Sequence, residues 1–242
     1  FFGIKKRPKI PPPPLHLGQM EQPKIDSDLF GLASFGDRAG LERACEAEGA
    51  DLSALDCYGR TPLHWAARAG RDSCVAYLIE QELDLDTADA AGMTPLLHAA
   101  QNGKESTVNQ ILEAGADAKA ADVNGNTAMH FAIVKGILGM VQALEAKGVS
   151  LTEQNKNGST PCHIACQNGQ LVIARYLIRK LGQEASATAN EAGDIPLHTA
   201  AKCGFSAICS ILIEAGADVA AANGAGQKPQ DVAVGKAKKV FV

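Results

Sequence analysis

"GRTPLHWAARAG", residues 59–70, recurs as "GMTPLLHAAQNG" at 92–103, "GNTAMHFAIVKG" at 125–136, "GSTPCHIACQNG" at 158–169 and "GDIPLHTAAKCG" at 193–204. A shortened copy, "GQKPQDVAV", follows at 226–234. The leading glycines step by 33, 33, 33, 35 and 33 residues. A period of this length marks a chain built by stacking one small unit on the next, because a single unit cannot bury its own apolar face.

Each copy carries its own start and stop signals. Thr61, Thr94, Thr127 and Thr160 suit a helix N-cap, where a hydroxyl accepts from an unpaired backbone N–H. Pro62, Pro95, Pro161 and Pro196 come next, where a missing N–H costs nothing and φ is already set. Gly70, Gly103, Gly136, Gly169 and Gly204 stand where that helix must end. Between them, pairs such as Ala66–Ala67 and Ala99–Ala100 allow helices to approach closely. Leu78, Ile111–Leu112, Leu177–Ile178 and Ile211–Leu212 then mark the buried stripe of a second helix. A polar connector closes each period, with Asp56, Asp89, Asp122, Asn155, Asn190 or Asn223 three residues before the next glycine.

The phrase T-P-L-H-x-A-A at this period resembles the ankyrin repeat, over roughly residues 27–235. The resemblance implies an all-α solenoid, an ankyrin repeat stack of helix-turn-helix units with β-hairpin fingers, curved so that one face is concave and binds. The division expected is an extended Pro-rich basic arm (1–26), an N-terminal capping repeat (27–55), and five repeats (56–88, 89–121, 122–154, 155–189 and 190–222). An incomplete C-terminal cap with a basic tail (223–242) closes the chain, and its second helix is expected to be missing. The two extra residues near "KLGQEASATANEAG" are expected in the connector, shifting one finger or adding a recognition feature.

Histidine is the residue most easily mistaken for chemistry here. His64, His130, His163 and His198 occupy one slot of one phrase. A catalytic imidazole is needed once, and a structural one in every copy. The family resemblance implies a bridge from the threonine hydroxyl to the backbone of the next repeat. In the second copy Leu97 takes the slot and His98 follows it, so that bridge is expected to be lost and repeat 2 to be weakened locally. Cys162, His163 and Cys166 look like a zinc fragment, since i and i+4 share a helix face. Cys162, however, fills the leucine slot and Cys166 an alanine slot, so packing is the preferred reading, with a metal-dependent regulator as the remote alternative. Nucleotide, hydrolase and metalloprotease motifs do not occur. The expectation is no enzyme, no cofactor, no metal and no small-molecule substrate.

Only 5% of the residues are aromatic against 46% hydrophobic, which suits a core of close helix contacts rather than bulky rings. Seven cysteines, an odd number without C-x-x-C spacing, fit free thiols of an intracellular, reducing compartment: cytoplasm, or an organelle stroma or matrix. The net charge of −4 is unevenly spread. Residues 1–25 carry five basic residues against one acid (+4), and residues 228–242 four against one (+3), which leaves −11 between them. An acidic body argues against nucleic acid, whose binding depends on neutralising phosphates. Membrane contact is expected only through the basic ends. The start without methionine is read as processing or truncation.

The tail "KKRPKIPPPPLHLG" reads as a polyproline II rod. It is either a stiff leader, a ligand for a proline-reading domain, or an arm laid along a partner through Phe1, Phe2, Lys5, Lys6, Arg7, Lys9, Leu15 and Leu17. By family analogy, a protein partner lies against finger tips and first helices. Carried over position by position, that points to Tyr58, Arg60, Arg68, Met93, Gln101, Asn102, Asn124, Asn126, Lys135, Lys156, Asn157, Gln167, Asn168, Glu191, Asp194 and Lys202. Tyr58 and Arg60 are the preferred hot spots, because aromatics and arginine dominate interface energetics. Trp65 and Phe131 are read mainly as core. The function expected is a non-catalytic protein–protein interaction module or scaffold. Its alternative is a structural or assembly subunit of a large complex, on an organellar membrane in one version, anchored by the arm.

Overall fold

The computed structural model describes residues 26–241, so the arm residues named above lie outside the described part of the chain. Two rows of helices run through it. The inner row consists of α1 (Asp26–Phe35), α3 (Pro62–Ala69), α5 (Pro95–Gln101), α7 (Ala128–Lys135), α9 (Pro161–Gln167), α12 (Pro196–Cys203) and α14 (Pro229–Val232). The outer row consists of α2 (Arg38–Glu48), α4 (Asp72–Glu80), α6 (Glu105–Glu113), α8 (Leu138–Ala146), α10 (Leu171–Leu181) and α13 (Ser206–Glu214), with α11 (Glu184–Ala187) lying between α10 and α12. Each inner helix packs on the inner helices before and after it. Among the described residues no β-sheet forms, and one isolated antiparallel bridge joins Ala121 to Thr127.

The inner helices are short because their signals are close together. Thr61, Thr94, Thr127 and Thr160 sit at the N-cap with extended ψ of 165–172°, and the helix ends seven or eight residues later. α5 and α9 stop one residue early, at Asn102 and Asn168. There the side-chain amide donates back to the His98 and Ile164 carbonyls at 2.8 and 2.9 Å. Such helices have no stability of their own, so packing supplies it. Leu63, Leu96, Met129, Cys162 and Leu197 occupy one position of the phrase and are at most 2% exposed. Each fully buried leucine of this kind contributes about 1.5–3 kcal/mol. The small residues Ala66, Ala67, Ala99, Ala100, Ala132, Ala165, Ala200 and Ala201, fully buried, keep the helix rows close.

Both ends of the stack are covered. Leu29, Ala33 and Leu41 of the first pair are fully buried, and Arg71 Nε donates to the Ser34 carbonyl at 2.9 Å to tie that pair to the first repeat. At the other end the expected gap is partly filled. A 3-10 helix, Gly235–Val240, packs on α13 and buries Ala237 completely, while the Val234 amide donates to the Ala201 carbonyl at 3.0 Å. The basic "KAKKV" segment turns Ala237 inward and its lysines outward, so a six-residue turn of helix stands where the second helix was expected to be missing. Ala237→Asp should lower unfolding stability in urea by about 1–3 kcal/mol, the cost of burying a polar group without a partner. Stability unchanged by it would show that this segment contributes no cover.

The two extra residues do not displace a finger. They extend α10 to eleven residues and allow α11, which buries Ala185 and Ser186 beside the outer row. The finger that follows keeps its place: Glu191 N donates to Asn157 O at 3.1 Å, and Gly224 N to Ala192 O at 2.9 Å.

Candidate functional site

The fingers are built by a device the connector residues share. Asp56, Asp89, Asp122, Asn155, Asn190 and Asn223 each accept, through Oδ1, the amides two and four residues ahead at 2.8–3.1 Å. These Asx turns close the fingers without a strand. Neighbouring fingers are then joined through the backbone: Ala90 N to Tyr58 O, Val123 N to Ala91 O, Lys156 N to Asn124 O, Glu191 N to Asn157 O and Gly224 N to Ala192 O, at 2.9–3.1 Å. One tip carbonyl of each finger is thereby taken up by the next finger. What the tips present outward is side chains, and these differ from repeat to repeat.

Under the fingers, His64, His163 and His198 each lock their unit to the next. Thr61 N–H and Oγ1 lie 3.0 and 2.9 Å from His64 Nδ1, and His64 Nε2 donates to Met93 O at 3.1 Å. His163 repeats this towards Asp194 O (2.8 Å); His198 bonds Gln227 O (2.9 Å), and at its Nδ1 the Ile195 N–H (3.3 Å) stands without a hydroxyl. Both bonds require the neutral ring with its proton on Nε2, because a proton on Nδ1 would face the backbone N–H. Burial pushes His64 down to about 4, and it pushes His98, His130 and His163 down as well. His130 departs from the pattern: its Nδ1 keeps the Thr127 contacts, but Nε2 meets no partner. The ring still faces the Ser159 carbonyl, the counterpart of Met93 O, whose pull opposes the burial that lowers it. His98 makes no bridge to repeat 3. Instead its Nε2 donates to Asp89 Oδ2 at 2.9 Å, inside its own repeat, and its ring lies edge-on to His64 with centroids 5.6 Å apart.

The residues expected to meet a partner divide into three groups. Tyr58, Arg68, Gln101, Asn102, Asn124, Lys135, Lys156, Asn157, Gln167, Asn168, Glu191 and Lys202 are exposed along the fingers and the ends of the inner helices. Arg60 and Asn126 are half-buried. Met93 and Asp194 must be corrected: they are 5% and 6% exposed, and neither presents a side chain to a partner. The reason is common to the position. The residue after the finger glycine turns along the stack towards the connector of the next repeat. Arg60 Nε donates to Asp89 Oδ2 (3.1 Å), Asn155 Nδ2 to Asn126 Oδ1 (2.9 Å) and Asn223 Nδ2 to Asp194 Oδ1 (2.8 Å), each pair 29 residues apart. Trp65 and Phe131 are half-buried on the inner row.

Sequence reading missed the contacts made by the first finger. Arg60 Cζ lies 4.9 Å from the Tyr58 ring centroid and 5.5 Å from that of Trp65, and Arg68 Cζ lies 5.6 Å from Trp65. The signal was present: Trp65 and Arg68 are one helical turn apart, and Tyr58 and Arg60 alternate on the finger. Burial works against the Asp89 carboxylate beneath them. The His98 ring, the Met93 and Ala91 amides and the Arg60 guanidinium outweigh it and hold Asp89 down to about 2. Cys162 and Cys166 sit in the core at the leucine and alanine positions; contact with Cys162, then burial, pushes the Cys166 thiol well up. Among the described residues no three His, Cys, Asp or Glu side chains converge on a metal-sized site, and no helix is long and apolar enough to cross a membrane.

Helix pairs stacked at one period, joined by bonded fingers and buried histidines, define a helical repeat solenoid. The profile described as "Ankyrin repeats (3 copies)" matches residues 29–122, 84–155 and 138–223, and the chain belongs to the ankyrin repeat family. The crystal structure of the human ASB11 ankyrin repeat domain superposes with a TM-score of 0.78 over 88% of this chain and 96% of that one. Its sequence is 23% identical, so the likeness is one of fold. No curated protein matches the chain by sequence. Ankyrin repeats are generally protein–protein interaction modules, and their fold is typically non-catalytic.

Proposed function

We propose that this chain is a non-catalytic adaptor or scaffold that holds a protein partner against its finger tips and the exposed ends of its inner helices. One observation carries the reading. The finger amides are bonded within and between repeats, so side chains carry most of the variation at the exposed tips, and these change along the stack: Tyr58, Ala91, Asn124, Asn157 and Ala192 stand at one position. A surface that varies on a frame that does not is suited to recognising one shape. The seven cysteines, all unpaired and four of them buried as packing groups, support placing the protein in a reducing, intracellular compartment.

Lysine cross-linking with mass spectrometry, on protein isolated gently from its native source, tests the proposal. Links to a partner are expected at Lys135, Lys156 and Lys202 on the finger side, and not at Lys147 and Lys180 on the outer side. Stoichiometric links to several chains of one assembly would favour a structural subunit over a transient adaptor. Links confined to the outer lysines would overturn the finger-face reading.

A further inference from the structure

Repeat 1 differs from the others in what its finger and inner helix present together. Tyr58, Arg60, Trp65 and Arg68 form one alternating stack of ring and guanidinium, with spacings of 4.9, 5.5 and 5.6 Å. Two bonds fix its middle: Trp65 Nε1 donates to Asp56 Oδ2 at 3.0 Å, and Arg60 Nε to Asp89 Oδ2 at 3.1 Å. The corresponding positions are Ala91, Met93, His98 and Gln101 in repeat 2, and Asn124, Asn126, Phe131 and Val134 in repeat 3. Repeat 4 has Asn157, Ser159, Ile164 and Gln167, and repeat 5 has Ala192, Asp194, Thr199 and Lys202. No other copy pairs two aromatics with two arginines.

The acids nearby do not neutralise this stack outwardly. Asp89 has a side chain 2% exposed and is engaged by His98, Ala91, Met93 and Arg60. Asp56 accepts the Tyr58 and Arg60 amides and the Trp65 indole. The exposed Arg68 guanidinium has no acidic partner among the described residues, and the acid that Arg60 pairs with there is the buried Asp89. The Tyr58 ring beside them is 57% exposed, in a chain with few aromatics to spare. A guanidinium held over a ring can still offer free N–H groups to a carboxylate, with less conformational freedom left to lose.

On this basis, and resting on the finger-face reading above, we infer that the partner is recognised through an acidic peptide segment. One of its Asp or Glu carboxylates pairs with the exposed Arg68 guanidinium, and an adjoining apolar or aromatic side chain lies on the Tyr58 ring.

Trp65 is the chain's sole tryptophan, so its emission reports on this site and nowhere else. The full chain is titrated with 12-residue peptides that alternate Glu or Asp with Phe or Leu, with matched peptides carrying Gln or Asn, with a phosphoserine peptide, and with phosphatidylserine vesicles. The carboxylate peptides are expected to shift Trp65 emission saturably, and the amide peptides to bind at least tenfold more weakly. Arg68→Gln, at an exposed side chain, should weaken the carboxylate peptide about tenfold, and Arg68→Lys should restore part of it. Lys135→Gln and Lys202→Gln should change nothing. Equal binding of the amide peptides, or preference for the phosphopeptide or the vesicles, would overturn the inference. If no peptide shifts Trp65 while native partners still cross-link to the finger lysines, the carboxylate inference alone fails. If both are silent, the finger-face reading fails with it.

Discussion

Acidification from pH 7 to pH 4 should remove about 3 kcal/mol of folding stability through His64 alone, since each unit of pKa shift corresponds to about 1.4 kcal/mol. The ring is held at about 4 in the fold, against 6.5 when exposed. Between those values the unfolded chain takes up a proton that the folded chain refuses, so stability is complete above about 6.5 and falls as pH falls towards 4. The cause is local. Protonation would put a hydrogen on Nδ1, against the Thr61 amide, inside a site 1% exposed. His98, His130 and His163, pushed down by burial, add to the loss in the same direction. The Asp89 carboxylate, held at about 2, contributes stability that is lost only below the ordinary carboxylate value of 3.8, so its window lies lower and does not overlap. Urea unfolding at pH 7, 6, 5 and 4 measures this directly. His64→Leu, the residue that Leu97 supplies at that slot in repeat 2, should flatten the curve by about one proton. Stability that stays level from pH 7 to 4.5 would refute the buried-histidine account.

Gly193→Ala is expected to cost about 3 kcal/mol. The position has φ of 75°, which charges a side-chain-bearing residue about 1 kcal/mol. A Cβ there would lie 2.5 Å from the Gly224 amide nitrogen and 3.1 Å from Asn223 C, both backbone, and overpacking against atoms that cannot rotate away adds about 1–3 kcal/mol. The same Cβ threatens the bond from Gly224 N to Ala192 O, which joins the last two fingers. Gly115→Ala is the control, with φ of 95° and no atom within 4 Å of the added carbon. It should show the backbone cost of about 1 kcal/mol alone. Comparison of the two by urea unfolding isolates the finger contact; equal losses would mean that the fingers are not tightly joined.

The fold was legible because its determinants are local and repeated. Thr61 as N-cap, Pro62 after it, Gly70 at the stop and Asp56 at the turn are each read from neighbours within a few residues, and repetition turned weak signals into one strong one. The same repetition marked His64, His130, His163 and His198 as positions of the frame, and three of them bridge to the next repeat. Exposed tips such as Tyr58, Asn124 and Asn157 were found by position. What position did not reveal was direction. Met93 and Asp194 share a register position with Arg60; Arg60 and Asp194 bond the next connector, 29 residues on, and the Met93 side chain is buried.

Sequence alone therefore determined the period, the helix pairs, their caps and the family, since each follows from short-range rules summed over copies. The tertiary structure decided which polar side chains join repeats and which face outward. It also decided how Gly235–Val240 closes the end, how α11 absorbs two residues without moving a finger, and how Tyr58, Arg60, Trp65 and Arg68 come into one stack. Those outcomes depend on distances between units that are adjacent in space and about 30 residues apart in the chain, and no local pattern encodes them.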